Sequence, residues 1–252
     1  MAAKVRIEVQ GTGTLGGALA EALRGPCVMV ETVEASDVLG RETDVLVIAG
    51  EAPVNGVLEL AKAVRQKSPD VAIVVAADGS EAMVRGIAGE VGASSRVLGV
   101  GTVAYTKRFR DLIARRCRVA VEEVHGFVVG RSDGVLVPLW STAAIGAVPL
   151  HHWAVAGHGK LGVRDRVEIF QGVKEPLSLE EKVGAAVEVV GAMVEDRGRV
   201  LPVCSVLKEY LGMAGVCLSV PCVVNGVGAE VAVNIPLNAA EEAGLRQAGE
   251  NA

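Results

Sequence analysis

Apolar blocks alternate with amphipathic stretches along the N-terminal part of the chain. Residues 4–10 alternate apolar and polar and end at Gly11, which predicts a strand, and the amphipathic run at 18–23 predicts a helix directly behind it. Further apolar runs predict strands, and amphipathic runs predict the helices between them. The strands are predicted at 44–50, 71–75 and 97–100, and the helices at 57–66 and 83–91. Regular alternation of strand and helix predicts an α/β fold with a parallel sheet.

The C-terminal part carries helix caps and a hairpin signal. A helix with one apolar stripe is predicted to end near Arg197, with a strand at 199–204 after it. The local signals are the capping box of Ser178 and Glu181, the two-residue turn Asn225-Gly226, and the cap of a final helix by Asn238 and Glu241. A polar, glycine-containing surface connection is predicted from His151 to Asp165.

The first strand runs into the turn Gly11-Thr-Gly13-Thr-Leu-Gly16, which opens the first helix. Glycines at this spacing permit a tight turn and let backbone N–H groups approach a pyrophosphate, so Gly11, Gly13 and Gly16 are candidate dinucleotide-binding residues. Glu31 lies near the spacing expected for an acid that binds the adenosine ribose. An ordinary charged residue on a half-exposed strand explains Glu31 equally well.

Composition narrows the function classes. The formal net charge is −5, and half of the 252 residues are hydrophobic. Scattered basic residues argue against a nucleic-acid surface, and no long apolar run or signal segment predicts a membrane protein, so a cytoplasmic location is expected. Five cysteines without CxxC spacing are interpreted as buried thiols, and four histidines, two of them the adjacent pair His151 and His152, give no prediction of a metal site.

The stretch from Arg96 to Leu150 resembles the lactate and malate dehydrogenase family. It carries GVGT, KRFR, VHGFVVG, VPLWSTAAIG and VPL in the order and spacing of that family, and 199–238 matches its RVLPV strand and following hairpin. The resemblance implies a Rossmann-like domain at 1–103, a C-terminal α/β domain at 104–252, homodimers or homotetramers, and descent from NAD-dependent 2-hydroxy-acid dehydrogenases. It also implies a long helix over 141–148.

The residues that transfer a proton in the family are replaced. Its catalytic histidine, seven residues after the VH histidine, corresponds to Ser132, and the aspartate that orients it corresponds to Tyr105. Ser132, Asp133 and Tyr105 are therefore the candidate catalytic groups. Ser132 and Asp133 either hydrogen-bond a ligand or form a turn, because no base is evident in the sequence that could activate the serine.

Other parts of the family's site are missing. The loop that carries a carbonyl-polarising arginine is reduced to a few residues after Gly50, and the asparagine of its SNPVD motif corresponds to Ala77. The spacing of 31–50 also predicts that one strand and helix of the Rossmann unit are deleted. Asp78 and Ser80 are either ligand-binding groups or a helix cap, and the cap is favoured.

Two retained positions have roles implied by the resemblance. Arg108 aligns with the arginine that clamps a substrate carboxylate, with a structural ion pair as the competing interpretation. Ser141 is the second substrate-binding candidate. Arg110 and His125 match an anion site of bacterial lactate dehydrogenases, although packing at an oligomer contact is the favoured interpretation.

These substitutions predict a diverged member that has lost hydride transfer, with NAD disfavoured as a cofactor. It is expected to bind a small carboxylate or oxo compound near Arg108 and to catalyse a non-redox step such as isomerisation, elimination or cyclisation. The alternatives are a non-catalytic homologue that acts by binding or assembly, and an NAD-dependent dehydrogenase with relocated catalytic groups.

Overall fold

The structure is a computed structural model and describes residues 5–11, 13–25, 28–33, 43–50, 54–92, 94–155, 159–231 and 235–250. Cys27, His158 and the segment 51–53 lie outside these ranges. Within them no helix has both the length and the hydropathy needed to cross a bilayer.

A parallel sheet forms the N-terminal half. Its strands are β1 Val5–Gln10, β2 Val28–Val33, β3 Val45–Ala49, β4 Ala72–Ala76 and β5 Val97–Gly99, in the order β2-β1-β3-β4-β5. The helices between them are α1 Thr14–Ala22, α2 Val54–Lys67 and α3 Ser80–Val91. All five residues of β3 and of β4 are buried, as expected for strands covered by helices on both faces.

The predicted deletion is located differently from the expectation. The resemblance of 31–50 to the family's third strand, short helix and fourth strand predicts that the second strand and its helix are deleted. In the structure β2 pairs along its whole length with β1, which is the place of the second strand in the common order 3-2-1-4-5-6. Among the described residues β2 is the last strand on this side of the sheet.

The sheet continues into the C-terminal half. Beyond β5 come β13 Arg199–Val206, β14 Cys217–Asn225, β7 Val128–Gly130 and β8 Leu136–Pro138, with β15 Gly228–Val231 also paired to β14. This gives one ten-stranded sheet. The predicted hairpin is confirmed, because Asn225 pairs with Gly228 across a two-residue turn. The domain boundary predicted near residue 103 lies just after β5. The sheet is continuous there, because β5 pairs with β13 of the C-terminal half.

The remaining elements surround the C-terminal half. The helices are α4 Val103–Cys117, α5 Val163–Lys174, α6 Leu179–Val194 and α7 Ala239–Glu250. Two small sheets contain β6 Val124–His125, β9 Ala144–Ile145 and β10 Val148–Pro149, and β11 Ala154–Val155 with β12 Gly159–Lys160. Short 3₁₀ turns occupy Ser94–Arg96 and Val121–Glu123.

Two predictions for this half are wrong. The expected helix at 141–148 is the β9–β10 hairpin, in which Ile145 pairs with Val148 and Gly146 adopts φ 55° in the turn. A left-handed glycine in a two-residue turn reverses the chain and cannot continue a helix. The surface connection predicted from His151 to Asp165 ends too late, because α5 already begins at Val163. The start of this helix is supported by a hydrogen bond from Gly162 N–H to the Asp165 carboxylate.

Both predicted caps are confirmed. Ser178 N–H donates to Glu181 while Glu181 N–H donates to the Ser178 hydroxyl, and Asn238 and Glu241 make the same reciprocal pair before α7. Such boxes satisfy N–H groups that a helix start leaves without partners. The first box also fixes the direction in which the Glu181 carboxylate leaves α6.

Helices cover both faces of the sheet. Leu19 of α1 and Val189 of α6 are buried in the core on one face, while Val64 of α2 and Ile87 of α3 are buried in the core on the other. A third core joins α4 and α5 to the small sheets around Phe109. A fully buried valine or leucine contributes roughly 1.5–3 kcal/mol to folding. These cores hold the carboxyl ends of β4 and β5 firmly against α4 and α6, where the candidate residues lie.

Candidate functional site

The glycine turn after β1 has the geometry of a phosphate-binding turn in its described residues. Gly11 adopts φ 142°, and a Cβ there would collide with the Ala49 carbonyl. A Cβ on Gly16 would collide with the Gly11 carbonyl, whereas Gly13, which caps α1, has open space in front of it. The open, uncapped helix start fits a pyrophosphate.

Glu31 does not reach this turn as a ribose-binding acid should. It pairs with Glu8 in the interior of β2, and the last residue of that strand is Val33. An acid that serves the ribose leaves the carboxyl end of the strand. The position favours the competing interpretation, a charged residue on a partly exposed strand.

Ser132 is held by a buried carboxyl group that sequence reasoning missed. Ser132 N–H donates to Glu81 Oε1 at 2.8 Å, and its hydroxyl lies 3.0 Å from both Glu81 oxygens. Glu81 is only 1% exposed and stands in the first turn of α3. Burial raises its pKa above 4.5, and the charge of Asp133 adds to the effect, although the bonds from Ser132 oppose it. Ser132 thus has a titratable partner after all.

Asp133 is directed elsewhere. Its carboxylate accepts two hydrogen bonds from Arg131, at 2.8 Å and 2.7 Å. These bonds hold the pKa of Asp133 below 3.8. Asp133 therefore orders the turn through Arg131, and the structure gives it no hydrogen bond to Ser132.

Tyr105 and Ser132 are brought together as expected. The Tyr105 hydroxyl, from α4, donates to the Ser132 carbonyl at 3.3 Å. Burial raises the pKa of Tyr105 above 10, helped by the nearby carboxylate of Asp78 and opposed by Arg108. The phenol is therefore a neutral hydrogen-bonding group at ordinary pH.

Arg108 binds a carboxylate that belongs to its own chain. Its Nε and Nη2 donate to the two oxygens of Glu181 at 2.7 Å and 2.5 Å. Nη2 also donates to the Pro176 carbonyl and Nη1 to the Glu175 carbonyl, so four of the five N–H groups are used. The bonds from Arg108 lower the pKa of Glu181 from 4.5 to about 2. The predicted competitor of the substrate role, a structural ion pair, is what the structure contains.

A different cation faces the pocket between α4 and α6. Lys182 lines it together with Tyr105, Ser132 and Asp78, and Lys182 Nζ lies 2.5 Å from Asp78 Oδ2. The remaining lining is apolar or backbone, from Leu15, Ala76, Ala77, Val100, Gly101, Ala104, Leu177 and Ala185. The volume of this pocket is about 40 Å³, which is enough for a few water molecules or a very small ligand.

The favoured cap interpretation of Asp78 and Ser80 is wrong. Gly79, with φ 65°, precedes α3 and no side chain caps the helix start. Asp78 instead pairs with Lys182, and the Ser80 hydroxyl is buried without a hydrogen-bond partner. Asp78 lies at the carboxyl end of β4 in this ion pair, and its role in binding a ligand stays a prediction.

Ser141 and Arg110 lie away from this pocket. The Ser141 hydroxyl donates to Glu241 at 2.5 Å and so fastens its turn to the start of α7. Arg110 donates to the Gly126 carbonyl at 2.9 Å and stacks over Phe127, while His125 is exposed. The substrate role of Ser141 gains no support, and the contacts of Arg110 favour packing.

The segment after β3 is too short for a lid. Gly50 and the first residue of α2, Val54, are separated by three residues that lie outside the described ranges. A water-excluding loop of the usual kind needs far more chain than this.

No three His, Cys, Asp or Glu side chains gather as a metal site would require, within the described ranges. The rings of His151 and His152 lie 4.2 Å apart. Cys117, Cys204, Cys217 and Cys222 are buried free thiols, as predicted, and the sulfurs of Cys204 and Cys217 are 2.8 Å apart.

A larger cavity, of about 490 Å³, lies at the amino ends of the parallel strands, beside Asp44 and Arg96, opposite to the candidate site.

The sheet order and the glycine turn define the class of this protein as Rossmann-like α/β. No family model matches the sequence. The L-lactate dehydrogenase of Bifidobacterium animalis subsp. lactis is 35% identical over 167 residues, which is 62% of this chain and 52% of that protein. The L-lactate dehydrogenase of Moorella thermoacetica is 33% identical over 162 residues, which is 60% of this chain and 51% of that protein. The matches span about half the length of these relatives.

Solved structures agree on the fold. The minor L-lactate dehydrogenase from Enterococcus mundtii, in its ligand-unbound form, superposes with a TM-score of 0.85 at 20% identity, over 100% of this chain and 96% of that one. Its ligand-bound form gives 0.84 at 20% identity, over 98% and 96%. In sequence the chain is similar to about half the length of L-lactate dehydrogenases, and it shares their fold.

Proposed function

We propose that this chain binds a small oxo compound or carboxylate in the pocket beside Ser132 and catalyses proton transfer, without transferring hydride. The hydrogen bonds between Glu81 and Ser132 carry the proposal. They supply a buried acid and base at the position that corresponds to the family's histidine.

The proposed step uses Glu81 and Ser132 as a relay. A ligand with an acidic C–H next to a carbonyl loses that proton to the Ser132 oxygen while the serine proton passes to the Glu81 carboxylate. The electron pair of the C–H bond becomes part of an enolate. Return of the proton to another atom of the ligand completes an isomerisation, and its return to the same carbon gives exchange with solvent. The raised pKa of Glu81 supports this role because the shift is in the direction of neutral pH, and a general acid and base works best when its pKa approaches the working pH.

The glycine turn fits the phosphates of a dinucleotide, but the catalytic end does not fit hydride transfer. Hydride transfer to a carbonyl needs a proton donor beside the carbonyl and a cofactor held against it. Ser132 replaces the family's imidazole, and the short segment after β3 supplies no arginine in the described residues.

A homodimer or homotetramer, which the family resemblance implies, remains part of the proposal.

The first test is an assay for hydride transfer. We expect no oxidation of NADH above background with pyruvate or oxaloacetate. Brisk turnover of either would sink the proposal and favour the dehydrogenase with relocated groups. NADH fluorescence, titrated in parallel, reports separately whether the glycine turn still binds a dinucleotide.

The second test follows proton exchange directly. Pyruvate, oxaloacetate and hydroxyacetone are incubated in D₂O, and loss of the C–H signals is followed by proton NMR. We expect wild-type protein to accelerate exchange of at least one compound and Glu81→Gln to abolish it. Glu90→Gln is the control, because Glu90 lies on the same helix but pairs with Lys62 at the surface.

A non-catalytic homologue is the second candidate. It is favoured by the internal pairing of Arg108 with Glu181, Lys182 with Asp78 and Arg131 with Asp133. Such a protein would act by binding or assembly, and would show neither proton exchange nor thermal stabilisation by any compound of the panel.

A further inference from the structure

Arg108 is not available to a ligand. Its bidentate pair with Glu181 is supported by two backbone carbonyls, and its side chain is 13% exposed. Removing the carboxylate from such a site would leave a buried, uncompensated charge. Arg108 and Glu181 are also absent from the lining of the pocket. A ligand in the pocket therefore meets another cation.

Lys182, the residue directly after Glu181, lies on the pocket side of α6. Its side chain is 30% exposed, and the residue lines the cavity that Tyr105 and Ser132 also line. The capping box at Ser178 fixes the start of the helix, so that consecutive residues 181 and 182 face different partners. One side chain turns to Arg108 and the next to the pocket.

The partner of Lys182 is easily replaced. Asp78 is 76% exposed, and an ion pair with so exposed a member contributes little because water competes for both charges. A ligand carboxylate can take the place of Asp78 at the ammonium while the Asp78 side chain moves into solvent. The pair of Arg108 and Glu181 offers no such exchange, because both residues are held by other bonds.

We infer that Lys182 binds the carboxylate of a two- or three-carbon ligand in this pocket, the role that Arg108 fills in the family's pattern. The cavity is small, at about 40 Å³, which favours a ligand of this size. The ligand's remaining atoms would lie towards Ser132 and Tyr105. This inference rests on the proposed function in one respect, namely that a ligand binds in the pocket beside Ser132. It does not depend on proton transfer.

Isothermal titration with glyoxylate and with pyruvate tests this role, because it measures binding whether or not turnover occurs. We expect wild-type protein to bind at least one of them and Lys182→Gln to bind it at least about tenfold more weakly, as loss of a charge-assisted bond implies. Lys107→Gln is the matched control. Lys107 also forms a helix-borne ion pair, with Glu188, but does not line the pocket. Equal weakening in both variants would overturn the inference.

Asp78→Asn gives the opposite signature. Removing the competing carboxylate should tighten binding of the same ligand several-fold, and a Lys182 side chain that served only stability would not produce this gain. Unchanged or weaker binding in Asp78→Asn, or no binding by the wild type, overturns the inference. If binding follows these expectations while proton exchange is absent, the proposed catalysis fails and the role of Lys182 stands.

Discussion

Glu81 accepts hydrogen bonds from both the backbone N–H and the hydroxyl of Ser132, although the two residues are 51 positions apart. The contact joins the first turn of α3 to the turn after β7. It encloses an ionisable group that is almost inaccessible to water. Its consequences can be measured in stability as well as in activity.

The first prediction concerns the pH dependence of stability in Glu81→Gln. Because burial raises the folded-state pKa of Glu81 above 4.5, the folded chain holds this proton at pH values where the unfolded chain has lost it. Stability contributed by the protonated group is therefore present at low pH and is lost as pH rises from 4.5 through the folded pKa. In thermal unfolding from about pH 4 to pH 8, the stability of Glu81→Gln relative to wild type should increase as pH rises.

The control for this experiment is Glu90→Gln, on the exposed side of the same helix. Its difference from wild type should not follow the profile of Glu81→Gln. A constant offset between Glu81→Gln and wild type over the whole range would show that Glu81 titrates normally.

The second prediction separates two adjacent glycines of α1. Gly16→Ala should destabilise the fold by about 1–3 kcal/mol, since its Cβ would meet the Gly11 carbonyl and the turn must move. Gly17→Ala should instead stabilise by about 0.5–1 kcal/mol, because a Cβ there meets nothing within 4 Å and alanine favours a helix. Urea unfolding of both variants checks the opposite signs, and equal effects would contradict the observed turn.

Local signals in the sequence predict much of this fold. The caps at Ser178 and Asn238 and the turn at Asn225 each depend on residues within a few positions of one another, and all three are confirmed. The place of β2 beside β1 depends on pairing across the sheet, which local signals do not encode, and the sequence prediction for this strand is wrong. The helix expected at 141–148 fails for a related reason, because a left-handed Gly146 reverses the chain and this is not evident from apolar periodicity.

The candidate site shows the same division. Ser132 and Tyr105 are identified by their places in the family's motifs, and the structure brings them together. Glu81, Lys182 and Glu181 have partners 51, 104 and 73 positions away, so no spacing rule connects them. The only local signal for Glu81 is an acid that follows an apolar strand, which is also the ordinary pattern of an acid in the first turn of a helix.

The third prediction concerns the two tyrosines. Burial raises the pKa of Tyr105 and of Tyr210 above 10, with additional contributions from Asp78 and Cys222 respectively. Absorbance at 295 nm should therefore show no free phenol titrating near 10 in the folded protein. Stability that depends on these neutral phenols is present below pH 10 and is lost as pH rises through the folded values. Tyr105→Phe should leave a single transition, from Tyr210, and a normal transition in wild type would contradict the burial of both rings.

The last prediction compares Glu181→Gln with Glu180→Gln, two acids in the first turn of α6. Glutamine at 181 can still complete the capping box, so the change mainly removes the charge opposite Arg108. We expect Glu181→Gln to lower the free energy of unfolding by about 1–3 kcal/mol at neutral pH, because Arg108 keeps its charge in a mostly buried position.

The stability difference between Glu181→Gln and wild type should depend on pH. The pKa of Glu181 falls from 4.5 unfolded to about 2 folded, so its stabilisation is present above 4.5 and is lost as pH falls towards 2. The wild type and Glu181→Gln should therefore converge in acid, whereas Glu180→Gln should stay close to wild type throughout. Equal stability of the two variants at neutral pH would show that Arg108 does not depend on Glu181. The guanidinium would then be available to an external carboxylate after all, as the family pattern implies.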